Sequence, residues 1–113
     1  MSKLYSTDKI LMYVDNDQHQ CNELLRLFVD TVPEEIESLE KAISNKNWDE
    51  AYLISHRIKP SMGITLSTKL SDDYSNLHEN IRLKRDPESL KLIFEEFKNN
   101  VYQAINQIKS DIN

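Results

Sequence analysis

Between Trp48 and Leu70 the apolar side chains Ala51, Ile54, Ile58, Met62 and Leu66 recur in steps of three and four, the spacing of one buried helical face. The phase runs unbroken across Pro60 and Gly63, two residues that a helix interior disfavours. It therefore predicts one continuous helix rather than two short ones; the alternative is a turn over Lys59-Pro60-Ser61-Met62-Gly63. At about 100° per residue, His56 falls well away from the buried stripe. Lys59, Pro60 and Gly63 follow it at i+3, i+4 and i+7 and share its outward face. Relative to Ala, an interior Pro costs roughly 3 kcal/mol and Gly about 1 kcal/mol. Pro60 also removes the hydrogen bond that would return to the His56 carbonyl. Gly63 is the only glycine in the chain, so no loose glycine background accounts for it. Clearance does: small or flat residues beside His56 leave its imidazole standing proud and let a partner come close.

The flanking sequence reads as helix throughout. Ser6 or Thr7 caps a short first helix through Ile10, Leu11 and Val14, and Asp15-Asn16-Asp17 ends it. Asp17 and Gln20 form a capping box for a second helix carrying Leu24, Leu25, Leu27, Phe28 and Val29. Thr31 and Glu34, with Pro33 between them, form another and open a third helix through Ile36, Leu39 and Ile43. Asn47 and Glu50 cap the His56 helix. Ser67 or Thr68 begins the next, with Leu70, Tyr74, Leu77 and Ile81 inward. Asp86-Pro87-Glu88 is a cap with Pro at the first helical position, leading a long stripe through Leu90, Ile93 or Phe94, Phe97, Val101, Ile105 and Ile108. No segment sustains a period of two. The expectation is all-α: an antiparallel (up-and-down) four-helix bundle with a short N-terminal helix and a long C-terminal helix, one domain over residues 1–113.

Composition narrows the function classes. A formal net charge of −5 lacks the basic footprint of a nucleic-acid binder. No apolar run approaches the ~20 residues of a membrane span, and no amino-terminal signal peptide is evident. The single Cys21 excludes an internal disulfide, suits a reducing cytosol, and reads as a small buried hydrophobe. The expected setting is cytoplasmic, with neither nucleic acid nor membrane as partner.

The run His56-Arg57-Ile58-Lys59-Pro60-Ser61-Met62-Gly63 resembles the signature of histidine-containing phosphotransfer (HPt) domains. There a His is followed by Lys at the third position, a small residue at the fourth, Ser or Ala at the fifth and often Gly at the seventh. The preceding PEEIESLEKAI helix and short Asn45–Trp48 connection fit as well, so the resemblance spans roughly residues 5–110. Two positions depart from the pattern: Pro60 stands where the family most often has Gly, and Leu66 where many members have a second Gly. The resemblance implies that His56 accepts a phosphoryl group from a receiver-domain phospho-aspartate and passes it to another receiver. It implies that Lys59 offsets the phosphate charge and makes His78, on the next helix, a candidate to orient His56, the equal alternative being a surface histidine of no consequence. It implies a monomer with no cofactor of its own, the Mg²⁺ belonging to the partner receiver of a response regulator or hybrid sensor kinase.

The residues themselves support that chemistry. Histidine is ordinarily half-protonated near pH ~6.5, so a neutral imidazole is available as nucleophile without a neighbouring base. It needs exposure and a positive charge for the phosphate oxygens, and Lys59 supplies the charge one turn on. No Walker-type loop, Mg²⁺-binding carboxylate set or Ser-His-Asp arrangement accompanies it, so the chain reads as a carrier rather than a kinase. Leu53, one turn before His56, and Met12 on the first helix are candidates for an apolar docking patch with Pro60 and Gly63. The alternative is that Leu53 and Met12 pack on each other.

Other residues read as bland. Arg82 is either a phosphate aid or a solvated charge; Asp72 and Asp73 are surface residues; Ser61 turns inward. The Glu34-Glu35-Glu37-Glu40 run is a solvent face supported by a Glu37–Lys41 pair. His19 and Cys21, two apart on a helix, diverge and make no metal site. Two rival functions remain: a helical adaptor in which His56 is an ordinary surface residue, and a metal-dependent helical hydrolase, for which three scattered histidines make a poor ligand set.

Overall fold

The computed structural model describes residues 3–112. Five helices account for most of them: α1 (Asp8–Tyr13), α2 (Gln18–Ser44), α3 (Trp48–Thr65), α4 (Thr68–Arg82) and α5 (Pro87–Ile112). The fold is all-α; the only β-type pairing among the described residues is an isolated antiparallel bridge between Tyr5 and Leu66. Helix α2 packs on α3 and α5, α4 packs on the same two, and α1 lies over α2 and α3. The molecule measures 42 × 26 × 21 Å. Its long axis is set by α2 and α5, since 26 residues at 1.5 Å rise give about 39 Å.

The core is the sum of the stripes read above. Ala51, Ile54, Ile58, Met62 and Leu66 are all buried, as are Leu70, Tyr74, Leu77 and Ile81 of α4 and Leu90, Phe94, Phe97, Val101, Ile105 and Ile108 of α5. Helix α3 runs through Pro60 and Gly63 without interruption, which rules out the turn. Caps fall where the sequence puts them: Asp17 accepts from the Gln20 amide, Asn47 from Glu50, Ser67 from Leu70 and Asp86 from Ser89. At α1 the side chain that accepts is Ser6, from the Asp8 amide, while Thr7 makes no cap bond.

One expected boundary is absent. Thr31 and Glu34 do not cap a new helix; α2 continues through Pro33 to Ser44, so five helices replace the six read from the sequence. The buried positions of α2 (Cys21, Leu25, Phe28, Val32, Ile36, Leu39 and Ile43) keep one phase across Pro33. Burial of that stripe outweighs the single ladder bond that proline removes. The Thr31 hydroxyl bonds back to the Leu27 carbonyl at 2.7 Å, a mid-helix habit of threonine rather than a cap. The acidic run is not a plain solvent face either. Glu35 receives Arg57 of α3 at 2.7 Å and Glu40 receives Lys98 of α5 at 2.9 Å, and no Glu37–Lys41 pair forms among the described residues.

The N-terminal segment is strapped across one end of the molecule. The Ser6 amide donates to the Thr65 carbonyl, and the Ser67 amide to that of Leu4. The Leu4 amide donates to the Gln107 side chain at 2.7 Å, and the buried Tyr5 hydroxyl to Asp111 at 2.5 Å. Lys3 also pairs with Asp111. Burial and the Asp111 carboxylate push the Tyr5 hydroxyl up to about 12, while Lys3 and Tyr5 hold the Asp111 carboxyl below its usual range.

Three helices close without glycine. Past α1, α2 and α4, residues Asp15, Lys46 and Lys84 take positive φ of 53°, 56° and 51°. The next amide in each case returns to a carbonyl in the last turn: Asn16 to Leu11, Asn47 to Ala42 and Arg85 to Asn80. This is the left-handed helix stop that glycine usually fills, and for a side chain with Cβ it costs roughly 1–2 kcal/mol. Lys46→Gly and Lys84→Gly are each expected to raise the unfolding free energy by up to about 1 kcal/mol after glycine's own chain-entropy loss, read as a higher urea midpoint at unchanged slope.

Candidate functional site

The third helix places His56 on the surface at mid-length, opposite its buried stripe. Helical side chains lean toward the N-terminus, and the His56 ring accordingly lies over Tyr52, one turn back, with centroids 5.8 Å apart and planes 14° from parallel. His78 of α4 also approaches Tyr52, 5.1 Å away at 25°. The two histidine rings are 5.9 Å apart. His56 thus stands on an aromatic step rather than swinging free, with Tyr52 a support that i−4 spacing could have revealed.

Beside this step lies a depression of about 390 Å³ lined by His56, Lys59, Pro60, Gly63, Ser71, Tyr74 and Ser75. The outward stripe read from the sequence therefore does form one wall. The opposite wall, from α4, was not anticipated. Its signal is spacing: Ser71, Ser75, His78 and Arg82 recur in steps of four, three and four, one helical face. Lys59 is exposed and makes no ion pair among the described residues, whereas Arg57 is committed to Glu35 and Arg82 to Glu79.

His78 is buried, 6% exposed, and so is no bland surface histidine. It makes no hydrogen bond to His56 among those described. Its Nδ1 lies 2.6 Å from the Oγ of Ser55, itself wholly buried. Ser55 donates to the Tyr52 carbonyl at 3.1 Å, and its own carbonyl accepts the Tyr74 hydroxyl at 2.6 Å. Burial, with Lys59 and His56 nearby, pushes the His78 imidazole below the ordinary histidine range. Burial likewise pushes the Tyr74 hydroxyl well up, so it stays a neutral donor.

Leu53 (59% exposed) and Met12 (79% exposed) are both open to solvent, which excludes their burial against each other. Leu53 lies one turn before His56 on α3, and Met12 lies on α1. Leu53 borders a groove of about 370 Å³ with Trp48, Tyr52, Ile81 and Arg82. Helix α1 sits toward the other end, where Lys9 donates to the Gly63 carbonyl at 3.2 Å. Ser61 is exposed rather than turned inward, and lines a cleft with Tyr13 and Ile64. Asp72 is exposed and Asp73 holds Lys69 at 3.0 Å. Cys21 is buried with its thiol pushed up by burial, and His19 is exposed, so the two diverge.

The fold gives no reason for Gly63. A Cβ built there meets nothing within 4 Å, and no positive φ demands glycine. Comparison of the chain with protein-family models, with curated proteins and with solved structures yields no match.

Two outcomes follow for stability. Gly63→Ala is expected to stabilise by about 1 kcal/mol and Pro60→Ala by about 1–3 kcal/mol, measured by urea unfolding. For His78 the folded state favours the neutral ring, so the unfolded chain binds the proton more readily. Stability is then complete above the unfolded value of about 6.5 and falls as pH drops through the window below it. His78→Gln should flatten that acid-side loss in melts taken from pH 7.5 to 5.

Proposed function

We propose that this chain is a phosphoryl carrier of the HPt kind, built as an antiparallel four-helix bundle of α2–α5 with α1 laid across α2 and α3. What supports it most is where the helix-weakening residues stand. Pro60 and Gly63 line the same depression as an exposed histidine and a lysine without an ion pair, and packing does not call for glycine at 63. Departures from good helix chemistry that local structure does not require concentrate at functional positions.

In this reading the neutral His56 imidazole attacks the phosphorus of an aspartyl phosphate on a receiver domain. The phosphorus–oxygen bond breaks as the phosphorus–nitrogen bond forms, and the aspartate leaves as carboxylate. The proton on the second imidazole nitrogen stays in place. Tyr52 holds the ring plane by stacking. Lys59 offers its ammonium to the phosphoryl oxygens, and the Ser71 and Ser75 hydroxyls across the depression are within the same pocket as neutral donors. Pro60 and Gly63 give the receiver room to approach. Leu53 and Met12, both exposed, are the apolar contacts for its docking. The Mg²⁺ of the transfer belongs to the receiver, of a response regulator or hybrid sensor kinase, and the carrier acts as a cytoplasmic monomer with no kinase activity of its own.

Incubation with a phosphorylated receiver should place acid-labile, base-stable phosphate on the wild type and none on His56→Gln. Lys59→Ala should slow transfer by an order of magnitude or more, since general electrostatic aids to phosphoryl transfer contribute ~10²–10³. Leu53→Asp should slow transfer while leaving the circular dichroism melt unchanged. A folded wild type that takes label from none of several receivers would instead favour the helical adaptor.

A further inference from the structure

We infer that His78, anchored by Ser55, takes up a proton when His56 carries a phosphoryl group and becomes a second cation facing the phosphate beside Lys59. The inference rests on the reading of His56 as phosphoryl acceptor.

The hydrogen bonds assign the resting tautomer. Ser55 has one hydroxyl proton, and it goes to the Tyr52 carbonyl. Its oxygen therefore accepts from His78, which places the His78 proton on Nδ1. The lone pair of the neutral ring then sits on Nε2. That atom has no hydrogen-bond partner among the described residues, yet no buried side-chain nitrogen or oxygen is left without one, so Nε2 reaches solvent. A second proton can be added there without disturbing the bond to Ser55.

The charges around His78 explain why it waits. From α3, Lys59 and His56 face it; from its own helix, Arg82 and Glu79 do; α5, the other helix packed on α4, brings no charged group to bear on it. Burial, Lys59, His56 and Arg82 favour the neutral ring, against Glu79 alone. A phosphoryl group on His56 reverses that balance. The phosphoryl oxygens carry two negative charges while the His56 ring keeps its proton, a net gain of one negative charge at a ring whose centre lies 5.9 Å from that of His78. A charge pair at that range shifts a titration by about half a pH unit at the dielectric of water and by about two at the effective dielectric of about 20 near a protein surface. The proton comes from solvent, and removal of the phosphoryl group releases it. Retention of phosphate on His56 is thereby coupled to pH between roughly 5.5 and 7.5, the range in which histidine titrates.

The test uses phosphoramidate, a small phosphorus–nitrogen donor whose bond breaks, with loss of ammonia, as the bond to His56 forms. Phosphorus resonance reports the adduct, assigned to His56 by its loss in His56→Gln. The His78 ring is then titrated by nuclear magnetic resonance from pH 5.5 to 8.5 in treated and untreated protein. The expected result is a His78 midpoint at least about half a pH unit higher in the phosphorylated form. The rate of phosphate loss should show an inflection at that midpoint, absent in His78→Gln. An adduct on His56 with an unmoved His78 midpoint would overturn the inference alone. Absence of any His56 adduct, with donor or with phosphorylated receiver, would overturn both the carrier reading and this inference.

Discussion

Ser55 is the joint on which the site depends. It is wholly enclosed between α3 and α4, and each of its polar groups is satisfied there: hydroxyl to the Tyr52 carbonyl, hydroxyl oxygen to His78, carbonyl from Tyr74. A buried polar group left unpaired costs about 1–3 kcal/mol, so a slip of α3 along α4 would break both bonds that cross between them, Ser55 with His78 and Tyr74 with the Ser55 carbonyl. That fixes the register in which Ser71, Ser75 and His78 face His56. The aromatic step of Tyr52, His56 and His78 is a consequence of the same register. Apolar packing alone tolerates small slides; this polar joint does not.

Electrostatics sharpen the site by subtraction. The chain is acidic overall, yet Arg57 and Lys59 on α3 and Arg82 on α4 are all exposed cations. Arg57 is tied to Glu35 on α2 and Arg82 to Glu79 on its own helix. Lys59 makes no ion pair among the described residues. A cation tied to a neighbouring helix and one left unpaired are indistinguishable in composition and separate only in three dimensions.

Much of this was legible before any coordinates. Unbroken phase carried α3 through Pro60 and Gly63, and the stripe of His56, Lys59, Pro60 and Gly63 did become one wall of the depression. The same criterion applied to α2 would have carried it through Pro33, since Phe28, Val32, Ile36 and Leu39 share one phase; local capping chemistry at Thr31 and Glu34 outvoted it wrongly. Pairings between distant segments were out of reach. Nothing near Glu35 or Glu40 in sequence announces Arg57 or Lys98, and Lys41 at the favoured i+4 spacing was a reasonable but incorrect partner for Glu37. His78 shows the boundary most clearly: its position was legible, but its bond to Ser55 depends on the helix register. Ser61 was misplaced because α1, a separate short helix, opens a cleft over that side of α3.

The strap of residues 3–6 ties the start of the described chain to Gln107 and Asp111 near its finish. The first and last described residues therefore lie near one another, and residues 3–112 trace nearly a closed ring. A short peptide joining those two points would splice the ring, which could be reopened at the tight stop around Lys46 without severing any helix. Sequence order, in other words, is incidental to this architecture: a permuted gene entering at α3 would lay down the same histidine surface first and close the molecule with α2.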